Sequence, residues 1–219
     1  MANQVMIIGL GQFGMSLART LSEKGAEVLA VDSDRELVEE ASLFCAEAVA
    51  IDATDETELA RLNPGRRDAV VCAIGDDSKE ASILCTALLR QMGAPLIIAR
   101  AGDKMHRRIL QLVGAHQVIN PELEFGKRFA NGILYRHVIA DTSFADDFQL
   151  TEICIQPSMV GRTLVQLALP KRFGVLVAAI RRGTPPRILQ PSPNEPLQED
   201  DQLLIVSRGD AIEKLAKGV

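Results

Sequence analysis

Gly9, Gly11 and Gly14 stand at the spacing GxGxxG, directly after the apolar run Val5-Met6-Ile7-Ile8. A helical pattern follows at once, and a carboxylate pair, Asp32 and Asp34, lies about twenty residues on. Each glycine has a separate physical task. The first permits a tight turn, the second lets backbone approach a pyrophosphate, and the third lets a helix pack against a strand. The helix opening at Gln12 and Phe13 aims its unpaired N–H groups and the positive end of its dipole at such a phosphate. Asp32 ends the next apolar run, where a carboxylate meets a ribose 2′-hydroxyl and repels the 2′-phosphate of NADP. The bland alternative makes Asp32 a helix cap. Asp34 reads as that cap instead.

Further candidates lie at the ends of later apolar runs: Asp52-Ala53-Thr54, Ile74-Gly75 and Arg100. Open α/β sheets bind ligands at the carboxyl edge of their strands, and all of these fall there. Gly75 permits close approach of a base or ribose, though Gly75-Asp76 also fits an ordinary strand-to-helix turn. The Arg100 guanidinium suits phosphate oxygens. His106, His116 and His137 are scattered and form no nucleophile or metal constellation, so binding without turnover is the expectation.

These residues need elements to carry them. Strands are expected at Val5–Gly9, Glu27–Asp32, Ala48–Asp52, Ala69–Ile74, Leu96–Arg100 and Gln117–Asn120. Helices are expected at 12–24, 34–45, 55–63, 77–92 and 103–113, with Asp34 and Asp55 as N-caps and Gly93 and Gly114 as stops. Continuous Val/Ile/Ala runs suit a parallel sheet covered on both faces, hence a Rossmann-like doubly wound α/β domain over residues 1–141. A last helix from Pro121 to about His137 carries a stripe of Leu123, Phe125, Phe129, Ile133 and Leu134. That stripe reads equally as core and as a crossover or dimer face.

The pattern changes around Asp141–Asp147, with Asp146-Asp147 as a polar boundary. Residues 142–219 read as a small α+β domain. Its strands are expected at Gln149–Ile155, Val175–Arg181, Arg187–Leu189 and Gln202–Ser207. A short helix is expected near Gly161–Leu167, a proline-rich loop over Gln190–Asp201, and a closing helix near Asp210–Lys217. Cys45, Cys72, Cys85 and Cys154 lack CxxC spacing and read as reduced, mostly buried thiols. A net charge of −5 argues against nucleic acid as a partner. With no apolar run near 18 residues and no leader pattern, a cytoplasmic chain is expected.

Taken together, Gly9-Leu10-Gly11-Gln12-Phe13-Gly14, Asp32, Asp52-Ala53-Thr54, Ala73-Ile74-Gly75, Ala99-Arg100-Ala101 and Ile119-Asn120-Pro121-Glu122 resemble the RCK (KTN) regulatory subunits of Trk/Ktr potassium uptake systems. The similarity runs the whole chain and is nearest the Ktr type, with one Rossmann unit and one smaller module. The resemblance implies a non-enzymatic gating subunit that binds ATP/ADP or NAD(H) at the glycine turn. It implies homodimers through the first domain, commonly an octameric ring, docked on the cytoplasmic face of a membrane-embedded K⁺-translocating subunit. It also implies that Glu122 helps hold a cation (Mg or Ca, or Na) near the nucleotide at the dimer interface. In some relatives cyclic di-AMP binds the second domain, and Val160-Gly161-Arg162-Thr163 lies where that contact would form. Gln12 departs from the usual Arg, removing one cation for a γ-phosphate and favouring NAD or ADP. Arg100 replaces a usual Lys and keeps its charge. The competing readings are an NAD(H)-dependent oxidoreductase and a nucleotide sensor of another cation exchanger.

Overall fold

The computed structural model describes residues 2–134, 138–145, 148–208, 211, 214 and 215. The chain divides into two compact units, Met1–Glu122 and Leu123–Val219. In the first, six strands alternate with helices. The strands are β1 (Gln4–Ile8), β2 (Glu27–Asp32), β3 (Glu47–Ala50), β4 (Ala69–Cys72), β5 (Ile97–Arg100) and β6 (Gln117–Ile119). Every pairing is parallel and the order is β3-β2-β1-β4-β5-β6. This is the doubly wound order, with its switch point between β1 and β4.

The continuous apolar runs make sense once the pleat divides them. Met6 and Ile8 of β1, with Leu29 and Val31 of β2, feed one core. Val5 and Ile7, with Val28 and Ala30, feed the other. Helices α1 (Gln12–Glu23) and α2 (Arg35–Ser42) cover the second face through Ala18, Val38 and Ala41. Helices α3 (Glu56–Arg61), α4 (Lys79–Gln91) and α5 (Lys104–Val113) cover the first through Leu59, Cys85, Leu88, Leu89 and Leu110. Both faces are thus sealed, as a parallel sheet requires.

Helix termini follow local chemistry. Asp34 accepts from the Glu36 N–H, Asp55 from Thr57 and Glu58, and Asp103 from His106. Gly114 closes α5 at φ 113°, and Gly93 follows α4 at φ 74°. Helix α6 (Pro121–Leu134) carries the apolar stripe on its outside: Leu123, Phe125, Phe129, Ile133 and Leu134 are 49% to 69% exposed. The core reading of that stripe does not hold. The rings of Phe125 and Phe129 stack with centroids 5.8 Å apart.

The second unit contains a five-stranded sheet in the order β10-β9-β11-β8-β7, antiparallel throughout. Its strands are β7 (Val138–Ala145), β8 (Phe148–Cys154), β9 (Leu176–Arg182), β10 (Arg187–Leu189) and β11 (Gln202–Arg208). Strand β7 was not expected, and it pairs with β8 through two register shifts that break the two-residue period a strand shows in sequence. Ile153, Ile155, Met159, Leu167, Leu203 and Ile205 fill the core with the short helices α7 (Leu164–Leu167) and α8 (Leu169–Phe173). Arg182 grips the fully buried Asp201 with two hydrogen bonds, and the Gln198 N–H donates to the same carboxylate. The boundary residues Asp146-Asp147, His137 and most of the expected closing helix lie outside the described residues. Cys72 and Cys85 are fully buried, Cys45 and Cys154 partly so, and all four are free thiols.

Candidate functional site

The crevice at the β1/β4 switch point is built around the turn after β1. Gly9 takes φ +92°, and its N–H donates to the Val31 carbonyl at 2.8 Å, hooking the turn over β2. A Cβ at Gly9 would meet the backbone of Ile74 at 2.8 Å, so the chain just past the end of β4 runs too close for any side chain. A Cβ at Gly14 would sit 1.8 Å from the Gly9 carbonyl oxygen, so Gly14 lets α1 seat on the turn. Gly11 differs. Nothing lies within 4 Å of its missing Cβ, so the fold leaves that face of the backbone open. Helix α1 begins there with no side-chain cap and no acidic residue in its first turn, leaving its amide donors for an incoming anion.

Asp32 is held by that same turn. One carboxylate oxygen accepts from the Leu10 N–H and the other from the Asp34 N–H at 2.9 Å. It is therefore not the cap of α2, which is Asp34. On the other side of the crevice, Asp52 accepts from the Thr54 side-chain hydroxyl at 2.7 Å and from the Thr54 N–H at 2.9 Å. Those two bonds hold its carboxyl below the usual carboxylate range. Gly75 leaves the strand end bare beneath Arg100, whose Nη1 lies 3.6 Å from where a Cβ would be.

The cavity these residues enclose has a volume of about 410 Å³, within the roughly 300–1,000 Å³ of small-molecule sites. Gly9, Gly11, Gln12, Asp32, Asp52, Ala53, Thr54, Ile74, Gly75 and Arg100 all line it. Phe13 and Gly14 do not: Phe13 packs into the core on the α1 side, and Gly14 is buried beneath the turn. Ser33, Ile51, Asp77, Ser78 and Ala81 also line it and were not singled out from sequence. The last three come from the 3-10 turn Asp76–Ser78 and the start of α4, whose N-cap Ser78 makes no side-chain cap bond. The available signal was the strand-to-helix turn Gly75-Asp76 itself, a second such turn on the carboxyl edge of the sheet.

Glu122 lies outside the cavity lining, with its side chain 59% exposed. Its Oε1 accepts from Arg100 Nη2 at 2.7 Å. Among the described residues no group of three or more His, Cys, Asp or Glu side chains gathers to hold a metal. A carboxylate already paired to a guanidinium is not by itself a cation site.

Neither His106 nor His116 lines this cavity. His106 is buried on α5 with neither ring nitrogen hydrogen-bonded, and burial pushes its pKa down. His116 accepts the Ile97 N–H on Nδ1 at 2.9 Å. Beneath the cavity, Cys72 at the end of β4 meets Cys85 of α4. The Cys85 thiol donating to Cys72 draws the Cys72 pKa down and pushes its own up. In the second unit, Val160-Gly161-Arg162-Thr163 leads into α7. Thr163 and Gln166 form a reciprocal capping box there, which accounts for that segment as a helix start.

Against known proteins, residues 5–121 match the TrkA-N domain and residues 150–217 the TrkA-C domain. The chain is 33% identical to the Ktr system potassium uptake protein C of Bacillus subtilis, over 100% of this chain and 98% of that protein. It is 33% identical to the Ktr system potassium uptake protein A of Vibrio alginolyticus, over 99% of this chain and 97% of that protein. Among solved structures, the GsuK channel bound to NAD superposes with a TM-score of 0.65 at 18% identity. It covers 98% of this chain and 39% of that one, a likeness of fold. No helix among the described residues is long and apolar enough to cross a membrane. With one TrkA-N and one TrkA-C domain and full-length similarity to both Ktr proteins, the chain belongs to the TrkA/RCK family and is of the Ktr type.

Proposed function

We propose that this chain is a cytoplasmic, nucleotide-binding gating subunit of a Ktr-type potassium uptake system. The observation that carries the reading is the open backbone at Gly11, facing a cavity closed by Asp32 and Arg100, in a chain similar throughout to Ktr proteins. In this reading Gly9, Gly11, Gln12 and the start of α1 receive a pyrophosphate, with Phe13 and Gly14 supporting the turn from beneath. Asp32 takes ribose hydroxyls. Asp52, Ala53, Thr54, Ile74 and Gly75 border the rest of the ligand, and Arg100 meets phosphate charge. The ligand is ADP or ATP, or NAD(H), and the neutral Gln12 favours those with less terminal phosphate charge.

Binding serves as a signal rather than a reaction. A ligand shifts a conformational equilibrium only as far as it binds one state better than the other. The first unit, Met1–Glu122, serves as the sensing domain and the second, Leu123–Val219, as the regulatory one. The exposed stripe on α6 suits a homodimer contact, and dimers assemble as an octameric ring beneath a membrane-embedded K⁺-translocating subunit. Any Mg, Ca or Na near Glu122 would take most of its ligands from the nucleotide and water, since the chain supplies one carboxylate already paired to Arg100. Cyclic di-AMP remains a proposed ligand of the second domain. An apolar depression of about 490 Å³ bordered by Leu164, Val165 and Leu176 offers faces for purine stacking.

The test is co-purification from native membranes. A polytopic K⁺-transport partner that is retained, with flux that responds to added nucleotide, supports the proposal. Steady oxidation of NADH by the purified chain overturns it in favour of a redox enzyme.

A further inference from the structure

The stretch of chain that runs from the end of β4 into α4 is bracketed by two thiols. Cys72 is the last residue of β4, and Cys85 stands midway along α4. Both are free, fully buried and part of the same core. The Cys85 thiol donates to the Cys72 sulfur. Cys72 Sγ also lies 3.8 Å from the carbonyl oxygen and from the hydroxyl of Ser82, one turn before Cys85. Ser82 and Thr86 are equally buried, and Thr86 Oγ1 donates to the Ser82 carbonyl at 2.8 Å. Four polar side chains thus cluster within an apolar core. Hydrogen bonds donated to a sulfur favour its thiolate, the nucleophilic form. The way in is short. Ala73, Ile74 and Ala81 line the cavity above the pair, and Ser78 opens α4 without a side-chain cap bond, so the first turn is weakly held. Fraying of that turn admits a peroxide, a molecule scarcely larger than water.

We propose that Cys72 and Cys85 form a redox modification site, a thiol pair that hydrogen peroxide converts to a disulfide within the folded chain. Cys72 is the nucleophile and Cys85 the resolving thiol. The Cys72 thiolate attacks one peroxide oxygen and the O–O bond breaks. Cys72 becomes a sulfenic acid, and the departing hydroxide takes up the thiol proton as water. The Cys85 sulfur then attacks the Cys72 sulfur. The S–S bond forms, the S–O bond breaks, and the second hydroxide leaves as water with the Cys85 proton. In all, two thiols give up two electrons and two protons, and one peroxide is reduced to two waters. In a reducing compartment such a bond is transient, so it reports oxidant rather than building the fold. Its consequence follows from what lies between the two sulfurs. Ala73, Ile74, Gly75, Asp77, Ser78 and Ala81 all line the cavity, and all fall inside the covalent ring that the disulfide closes. Oxidation therefore ties down one wall of the cavity at both ends, through residues that do not line it. The assignment holds whatever the cavity binds.

The experiment treats the folded full chain with hydrogen peroxide, alkylates the remaining thiols in urea, and reads the peptides by mass spectrometry. Wild type is compared with Cys72→Ala, Cys85→Ala and the double variant Cys45→Ala with Cys154→Ala, each checked for folding by circular dichroism. Wild type is expected to lose two of its four alkylatable thiols and to yield a peptide pair joined at Cys72 and Cys85. Dithiothreitol should restore all four. The double variant should form the same link at the same rate, and it decides the matter even where a single variant does not fold. Cys85→Ala should stop at a Cys72 sulfenic acid that dimedone traps, and Cys72→Ala should leave Cys85 alkylatable. A folded chain that keeps both Cys72 and Cys85 alkylatable overturns the proposal. So does a link that forms only in urea, or one that joins either sulfur only to Cys45 or Cys154. Dimedone labelling of Cys85 in Cys72→Ala, with none at Cys72 in Cys85→Ala, overturns the order of attack.

Discussion

The division of labour among the three glycines of the turn is the sharpest residue-level result, because each makes a different prediction. Gly11 has open space where its Cβ would be, so Gly11→Ala should leave stability within about 1 kcal/mol, the scale of an N-cap change. It should nevertheless weaken every pyrophosphate ligand by about ten-fold or more, because the methyl group occupies the face the ligand needs. A thermal melt and a titration on the same sample separate these effects. Asp32→Asn is the complementary variant. It should weaken ribose-bearing ligands while leaving inorganic pyrophosphate much less affected, and it should cost stability because one acceptor oxygen remains for the two N–H donors of Leu10 and Asp34. His106 makes a third case. It is buried with no hydrogen-bond partner, and burial lowers its pKa below the 6.5 of a free histidine. The unfolded chain therefore binds a proton that the native chain refuses as pH falls below about 6.5. That contribution to stability is lost on acidification, and Lys79, Asp103 and Asp76 are the charges around it. Melting temperatures at pH 7.5 and about 5.5 should differ more for wild type than for His106→Leu; an equal difference would refute the assignment.

At the scale of elements, α1 seats because Gly14 has no side chain. Gly14→Ala would drive a methyl group into the Gly9 carbonyl oxygen and should cost about 2–3 kcal/mol, an overpacking effect at a site with no room to relax. Urea unfolding of that variant beside Gly11→Ala tests whether the two glycines differ as the structure says. Much of this level was legible in the sequence. The apolar runs of β1, β2, β4 and β5, each followed by a turn and a helical period, announced the parallel sheet, and ten of the cavity residues fall at the strand ends where they were sought. The missing parts have physical reasons. Strand β7 is bulged twice, which erases its two-residue period. Helix α8 follows Ala168 in a left-handed conformation with no side-chain cap, and it is only five residues long, so Pro170 in its first turn is its one start signal. The Arg100–Glu122 pair depends on the register of β6 against β5, a relation between strands that no local pattern encodes.

At the scale of the whole molecule, the self-association proposed above and ligand binding are separable. The α6 stripe is solvent-facing in a single chain, and Phe125 with Phe129 forms its aromatic centre. Phe125→Glu with Phe129→Glu should convert a dimer-based assembly to monomers in light scattering while nucleotide still binds; an unchanged mass would remove α6 from the interface. The central claim, that the glycine-turn cavity is a nucleotide sensor, is tested most directly by calorimetric titration of ATP, ADP, NAD and NADH into the wild-type chain, with and without Mg²⁺. At least one of them should bind more tightly than about 1 mM, equivalent to about −4 kcal/mol, and Gly11→Ala should weaken it. If none of the four binds below the millimolar range under either condition, the account is contradicted.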